Sequence, residues 1–278
     1  MSNCPGQQQE DTPQGQLTDV ASGGSKPGAE ARAGSRLAAA SQKVDLIVVR
    51  RVYEVCQQHI AKAVASTPVL GAFLAALAAN ESGGKPEACC FEPKVYGHLK
   101  AVASGRTSAF GSIVWKNLLP ACQQSLQPGS PDLRARFAVL PLQQEDALRA
   151  ITGAEEEALR GLASSWGFTQ IMGYQVIGHQ AEVRDLLDPD FHFRFAVKLL
   201  TVFARRFRLR LSRDFEDLFR CWNTGQPNGK TFDPEYVAKG LRRMKLYQEL
   251  EGIVSQHTSM QAPPVCAPGV GAPPERSR

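Results

Sequence analysis

No run of apolar residues in this 278-residue chain approaches the ~20 needed to cross a bilayer, and no basic stretch followed by an apolar core marks a secretory leader. A membrane-spanning chain is therefore not expected, and no export address is legible. Cys-x-x-Cys is missing too. The seven cysteines (Cys4, Cys56, Cys89, Cys90, Cys122, Cys221, Cys266) are odd in number, and only Cys89 and Cys90 lie close. That pattern argues against a zinc site or a redox pair and for buried free thiols. His59, His98, His179, His192 and His257 lack the paired helical spacing of metal ligands, so neither metal nor cofactor is expected. Ser164 and Ser165 sit in no Gly-x-Ser-x-Gly elbow, which argues against a serine hydrolase.

Aromatic residues are absent from 1–43, where Leu17, Val20 and Leu37 are the only large aliphatics. Such a stretch cannot bury enough surface to offset the entropy of ordering. Residues 259–278 also lack aromatics and carry Pro263, Pro264, Pro268, Pro273 and Pro274. Both read as disordered tails around one folded body, 44–258. Lys and Arg exceed Asp and Glu by 32 to 27, and both tails are nearly neutral, so the body holds most of the net +5. This mildly favours an anionic partner.

Within 44–258 the apolar spacing is helical almost throughout. Val48, Val52, Val55, Cys56, Ile60 and Val64 recur near 3.6 residues and predict a first helix ending about Ala65. Thr67 as N-cap and Pro68 in the first turn predict a second, through Val69, Leu70, Phe73, Leu74 and Leu77 to about Asn80. A third spans about Val95 to Val102. Thr152 and Glu155 have capping-box spacing before a helix carrying Leu159 and Leu162. Asp188 and Pro189 open a helix whose Phe191, Phe195, Leu199, Leu200, Val202 and Phe203 cover more than one face, which places it at the domain centre. Phe215, Leu218, Phe219 and Trp222 form one stripe, and Asp233 and Pro234 open a last helix through Val237 and Leu241. Between these lie a loop at 129–131, a short alternating stretch at 136–140 and a helix at about 143–151. The fold class is mainly α.

Glu81 continues the stripe of Leu70, Leu74 and Leu77 and falls at the C-terminal end of that helix, where unpaired carbonyls disfavour an anion. Burial and dipole together raise its proton affinity, the state a general acid needs near neutral pH. A Glu swung into solvent at a fraying end is the plainer alternative. Three polar clusters flank aromatics: Ser164 to Gln170, Trp222 to Gly225, and Asp233 to Tyr236. Amides and hydroxyls beside an aromatic face suit a sugar cleft, because sugars offer hydroxyl rims and apolar ring faces. Helix caps next to core aromatics look the same in sequence.

The segments Asn80-Glu81-Ser82-Gly83-Gly84 and Cys90-Phe91-Glu92-Pro93-Lys94-Val95-Tyr96 resemble the Glu-Ser-x-Gly and Phe-Glu-x-His-x-Phe segments of the phage and bacterial N-acetylmuramidase domain of the lysozyme-like superfamily. Ser165-Trp166-Gly167-Phe168-Thr169-Gln170-Ile171-Met172-Gly173 is similar to that family's Ser-Trp-Gly-x-x-Gln-Ile-Met-Gly motif, related in turn to a Gly-Leu-Met-Gln segment of lytic transglycosylases. Trp222-Asn223-Thr224-Gly225 and Tyr236 resemble its Tyr-Asn-Gly and following Tyr. The blocks keep the family's order across about 44–250, with Lys94 where His is usual, Trp222 where Tyr is usual, and a poorly matched stretch at 103–150.

The resemblance implies a lysozyme-like helical domain of goose-type or lytic-transglycosylase-like kind, of the phage endolysin type. Its substrate would be peptidoglycan glycan strands and its product a cut β-1,4 bond between N-acetylmuramic acid and N-acetylglucosamine. Glu81 would be the catalytic acid, and Ser82, Ser165, Gln170, Trp222, Asn223 and Tyr236 the substrate-binding residues. Glu92 is the candidate second carboxylate, or equally a helix cap. No Asp lies between Glu81 and Gly129. If an acid activates water the enzyme is a hydrolase; if the sugar's own hydroxyl attacks, it is a lytic transglycosylase. A catalytically silent glycan-binding or structural protein is the alternative from another class. The expected enzyme is a monomer without nucleic-acid or membrane partners, made in the cytoplasm and acting at the wall after lysis or non-classical export. Arg205, Arg206, Arg208, Arg210 and Arg213 then read as a solvated basic face rather than a nucleic-acid site.

Overall fold

The structure, a computed structural model, describes residues 27–124 and 153–261. Among these the chain is mainly helical, as expected. Its order is α1 (Pro27–Val64), α2 (Gly71–Glu81), β1 (Cys89–Phe91), α3 (Pro93–Ala103), β2 (Ala109–Phe110), β3 (Ile113–Val114), α4 (Trp115–Gln124), α5 (Gly153–Leu162), β4 (Ser164–Trp166), β5 (Ile171–Met172), α6 (Pro189–Phe207), α7 (Phe215–Thr224) and α8 (Tyr236–Gln261). Two 3-10 segments, Gly173–Val176 and Val183–Leu187, lead into α6. The expected loop at 129–131, alternating stretch at 136–140, helix at 143–151 and capping residue Thr152 lie outside the described residues. So do 1–26 and 262–278.

Helix α1 begins at Pro27, inside the stretch expected as a tail. The reason is local: 27–43 is rich in Ala with Glu, Arg and Leu, which form helix without needing a buried face, and Pro27 suits a first turn. Its buried stripe is the one the spacing predicts, Val49, Val52, Cys56, Ile60 and Ala63. Thr67 does not cap α2. Its hydroxyl donates to the Val64 carbonyl (3.2 Å) and accepts from the Val69 amide (3.2 Å), closing a turn, and the helix starts only after Leu70.

The central helix is α2, not α6. Residues 72–79 are all buried, because five alanines among them let α1 and α8 approach closely from both sides. Phe73 packs on the rings of Phe215 and Phe219 at centroid distances of 5.8 and 4.6 Å. Helix α6 opens as predicted, with the Asp188 carboxylate accepting from the Phe191 amide (2.6 Å) and Pro189 in the first turn. It nevertheless lies at the surface. Arg194, Lys198, Arg205 and Arg206 run along its exposed side, and Val202 is 52% exposed. The five arginines from 205 to 213 are all exposed, as a solvated face requires. Cys56 and Cys221 are buried thiols, but Cys90 is disulfide-bonded, so the expectation of free thiols fails there.

The strands were not legible. Trp166 and Ser165 pair with Cys89 and Cys90 on one side and with Ile171 and Met172 on the other, giving an antiparallel sheet in the order β1-β4-β5. A separate two-stranded ribbon joins β2 and β3. The β4–β5 turn is clamped from below by His192, which is fully buried. Its Nδ1 faces the Leu186 carbonyl (2.9 Å) and so carries the proton; Nε2 accepts from the Thr169 amide (2.9 Å). Burial lowers this imidazole to about 4, so it is neutral.

Gly167 sits over that ring with φ +72°, and an added Cβ would lie 2.6 Å from Nδ1 and 2.7 Å from the Leu186 carbonyl oxygen. Gly167→Ala is expected to destabilise the fold by about 3 kcal/mol or more, through overlap and a left-handed backbone together. Urea unfolding at neutral pH measures it, and a loss under about 0.5 kcal/mol would show that the clamp is soft.

Candidate active site

Glu81 is the last residue of α2 and is partly buried. The helix that ends there is held on three sides, so its last turn has a fixed direction. The Glu81 carboxyl accepts a hydrogen bond from the Tyr236 hydroxyl. Burial pushes the carboxyl from 4.5 up to about 7, and the phenol donor, which favours the anion, pulls the other way. Burial and the neighbouring Glu81 charge hold the Tyr236 phenol well above its ordinary range, so it remains a donor.

Tyr236 reaches this position through the turn before α8. Thr231 donates to the Asp233 carbonyl (2.8 Å), the Asp233 carboxylate accepts from the Glu235 amide (2.9 Å) and pairs with Lys239 (2.7 Å), and the Tyr236 amide donates to the Asp233 carbonyl (3.0 Å). The ring then meets Phe219 edge-on at 6.2 Å.

Behind the pair is a polar group that sequence reasoning missed. Arg243 donates through Nε to Asp45 (2.8 Å) and through Nη1 to the Ala79 carbonyl (2.8 Å) and to Asn80 Oδ1 (3.0 Å). Asn80 Nδ2 in turn donates to the Tyr236 carbonyl (3.0 Å), and Arg242 takes the other Asp45 oxygen (3.2 Å). Asp45 is 3% exposed. The signal was present: Asp45 precedes Val49, Val52 and Cys56 on their own stripe, and Arg243 follows Tyr236 and Gly240 on theirs. An acid and a base on two buried stripes are partners for one another.

The remaining expected residues divide. Ser82 spends its hydroxyl on a turn, donating to the Ala78 carbonyl (3.3 Å) and accepting from the Gly84 and Lys85 amides (3.2 Å each). Ser165, 6% exposed, donates to Gln170 Oε1 (2.8 Å). Gln170 Nε2 donates to the Ala88 (3.1 Å) and Gly167 (2.8 Å) carbonyls. The amide expected to bind the glycan is thus engaged in bracing the β4–β5 turn. Trp222 is partly exposed and its indole N–H donates to the Thr169 carbonyl (2.9 Å), so it ties α7 to the same turn. Asn223 is exposed. Glu92 stands at the N-cap of α3 without a side-chain cap bond; burial raises its carboxyl and Lys94 draws it back.

The structure therefore brings Glu81 to Tyr236 and Ser165 to Gln170. Among the described residues no hydrogen bond joins Glu81 to Ser82, Gln170, Asn223 or Glu92. A cavity of about 380 Å³ beside Lys116, Asn117, Leu162 and Val176 contains none of the expected residues. Among the described residues no helix is long and apolar enough to cross a membrane, and no group of three His, Cys, Asp or Glu side chains is placed to hold a metal ion. No protein-family model matches the chain, and neither does any curated protein or solved structure.

The raised carboxyl has a thermodynamic sign. Glu81 is protonated more readily folded than unfolded, so its contribution to stability is complete below about 4.5 and is lost as pH rises through about 7. Glu81→Gln removes that loss. Its stability relative to wild type is expected to rise from near zero at pH 4.5 to about 1–3 kcal/mol at pH 8.5, the lower figure allowing for water at the partly exposed carboxyl. Denaturant midpoints across that range test it, and a flat difference would mean that the carboxyl titrates normally.

Proposed function

We propose that this protein is a peptidoglycan-cleaving glycosidase of N-acetylmuramidase type, with a lysozyme-like fold, in which Glu81 is the general acid. The observation that carries the reading is a partly buried carboxyl at the end of the central helix, bonded to a phenol and pushed up to about 7 by burial. The helical body, the antiparallel strand that follows the acid, and the order of the motif blocks support the same reading.

In the mechanism, Glu81 gives its proton to the bridging oxygen while the bond from that oxygen to the anomeric carbon of N-acetylmuramic acid breaks. The leaving N-acetylglucosamine departs as a neutral alcohol, and positive charge develops on the ring carbon and oxygen left behind. Glu81 is now an anion and the Tyr236 hydroxyl remains directed at it, which stabilises that state. Attack by water returns one proton to Glu81 and leaves a reducing end; attack by the sugar's own hydroxyl returns it likewise and leaves an anhydro end. One carboxyl thus serves as acid and then as base. The solvent-facing flank of Trp222 and the exposed Asn223 amide are the side chains with free surface for the glycan. The expected setting is the cell wall, reached after lysis or by non-classical export.

Purified cell walls test this directly. Glu81→Gln is expected to lower the rate of turbidity loss at least ~10²-fold while the far-UV circular dichroism is unchanged. The wild-type rate should fall as pH rises through about 7, because the required proton is lost there. Equal clearing by both proteins would overturn the assignment, and no clearing by either would favour a silent glycan-binding protein. Mass analysis of the fragments separates reducing from anhydro ends.

A further inference from the structure

Arg243 lies seven residues after Tyr236 on α8 and so on the same face of that helix. Its three bonds go to two other elements: Asp45 on α1, and the Ala79 carbonyl and Asn80 side chain on the last turn of α2. Asn80 closes the circuit by donating to the Tyr236 carbonyl. Arg243 and Tyr236 therefore grip the last turn of α2 from two points of one helix, and that turn ends in Glu81. The other charged groups near this end are Arg51, whose Nη1 donates to the Gly83 carbonyl (3.4 Å), Arg242 on Asp45, and the Asp233–Lys239 pair. None of these hydrogen-bonds Glu81; Tyr236 does.

We propose that Arg243 is a positioning residue for Glu81, seating α8 against the end of α2 so that the Tyr236 hydroxyl stays on the acid. The inference rests on the reading of Glu81 as the acid. A plain stabilising role would need only a positive charge near Asp45 and the helix end, which a lysine supplies. The planar fork that reaches Asp45, Ala79 and Asn80 together is a property of guanidinium and not of ammonium.

The test is a ¹³C carboxyl NMR titration of the full chain, with Glu81 assigned by its loss in Glu81→Gln. Tyr236→Phe removes a donor that favours the anion and should raise the Glu81 midpoint above its wild-type value. Arg243→Lys, and separately Asn80→Ala, which leaves the Asp45–Arg243 pair intact, should raise it in the same direction by at least about half a pH unit. Neither should raise it further in a Tyr236→Phe background. A midpoint that stays at the wild-type value in both single variants while their melting temperatures fall would overturn the proposal, as would shifts that add to that of Tyr236→Phe. If Arg243→Lys does not fold, Asn80→Ala decides alone. Failure of the wild type to cleave cell walls would sink the glycosidase reading and leave this titration standing on its own result.

Discussion

The site depends on how the C-terminal end of a helix buried over 72–79 is closed. A helix ends in carbonyls without partners, and leaving one buried costs about 1–3 kcal/mol. For α2 the Ala79 carbonyl is met by Arg243, whose charge suits the helix dipole and whose own burial is balanced by Asp45. Removing Asp45 would leave Arg243 without a carboxylate in the interior, a loss of several kcal/mol, whereas removing Arg243 leaves Asp45 paired with Arg242 alone and the Ala79 carbonyl unmet. One ion pair therefore ties α1, α2 and α8 together at the point where the chain presents Glu81. Its carboxyl lies just past this closure, dry enough to hold a proton and open enough to give it up.

Much of this arrangement was legible. The stripe of Leu70, Leu74 and Leu77 placed Glu81 at a helix end, and the dipole and burial arguments gave the direction of its proton affinity. Asp188 and Pro189 opened α6 at the expected residue. The strands were missed because segments of two or three residues carry no period long enough to read. Ser164 to Gln170 could be read as sugar-binding polar groups or as a helix cap and is a strand and turn, in which Ser165 and Gln170 spend their polar atoms on backbone and on each other. Helix α6 misled because aromatic content suggested depth, whereas alanines allowed α2 the closer packing. Ala-rich helix formation before 44 was hidden by the rule that weighs only burial.

The hairpin that carries the most specific motif is thus a structural brace. His192 holds it from α6, Trp222 from α7, and β1 from the segment following the acid. Two helices and the strand after Glu81 are referred to one short hairpin. Ser165 and Gln170 thus spend their hydrogen bonds within the hairpin and on Cys90 and Ala88, and Gly167 makes room for the His192 ring.

The close packing of 72–79 bears on how the protein can change over time. Each of these eight positions is a buried alanine or larger apolar residue, so an added methyl group meets a neighbour that must shift. Drift within the core would then be felt as displacement of a carboxyl many ångströms away. Under the proposed function, packing in a plain alanine-rich segment with no reactive group of its own would set where the acid stands.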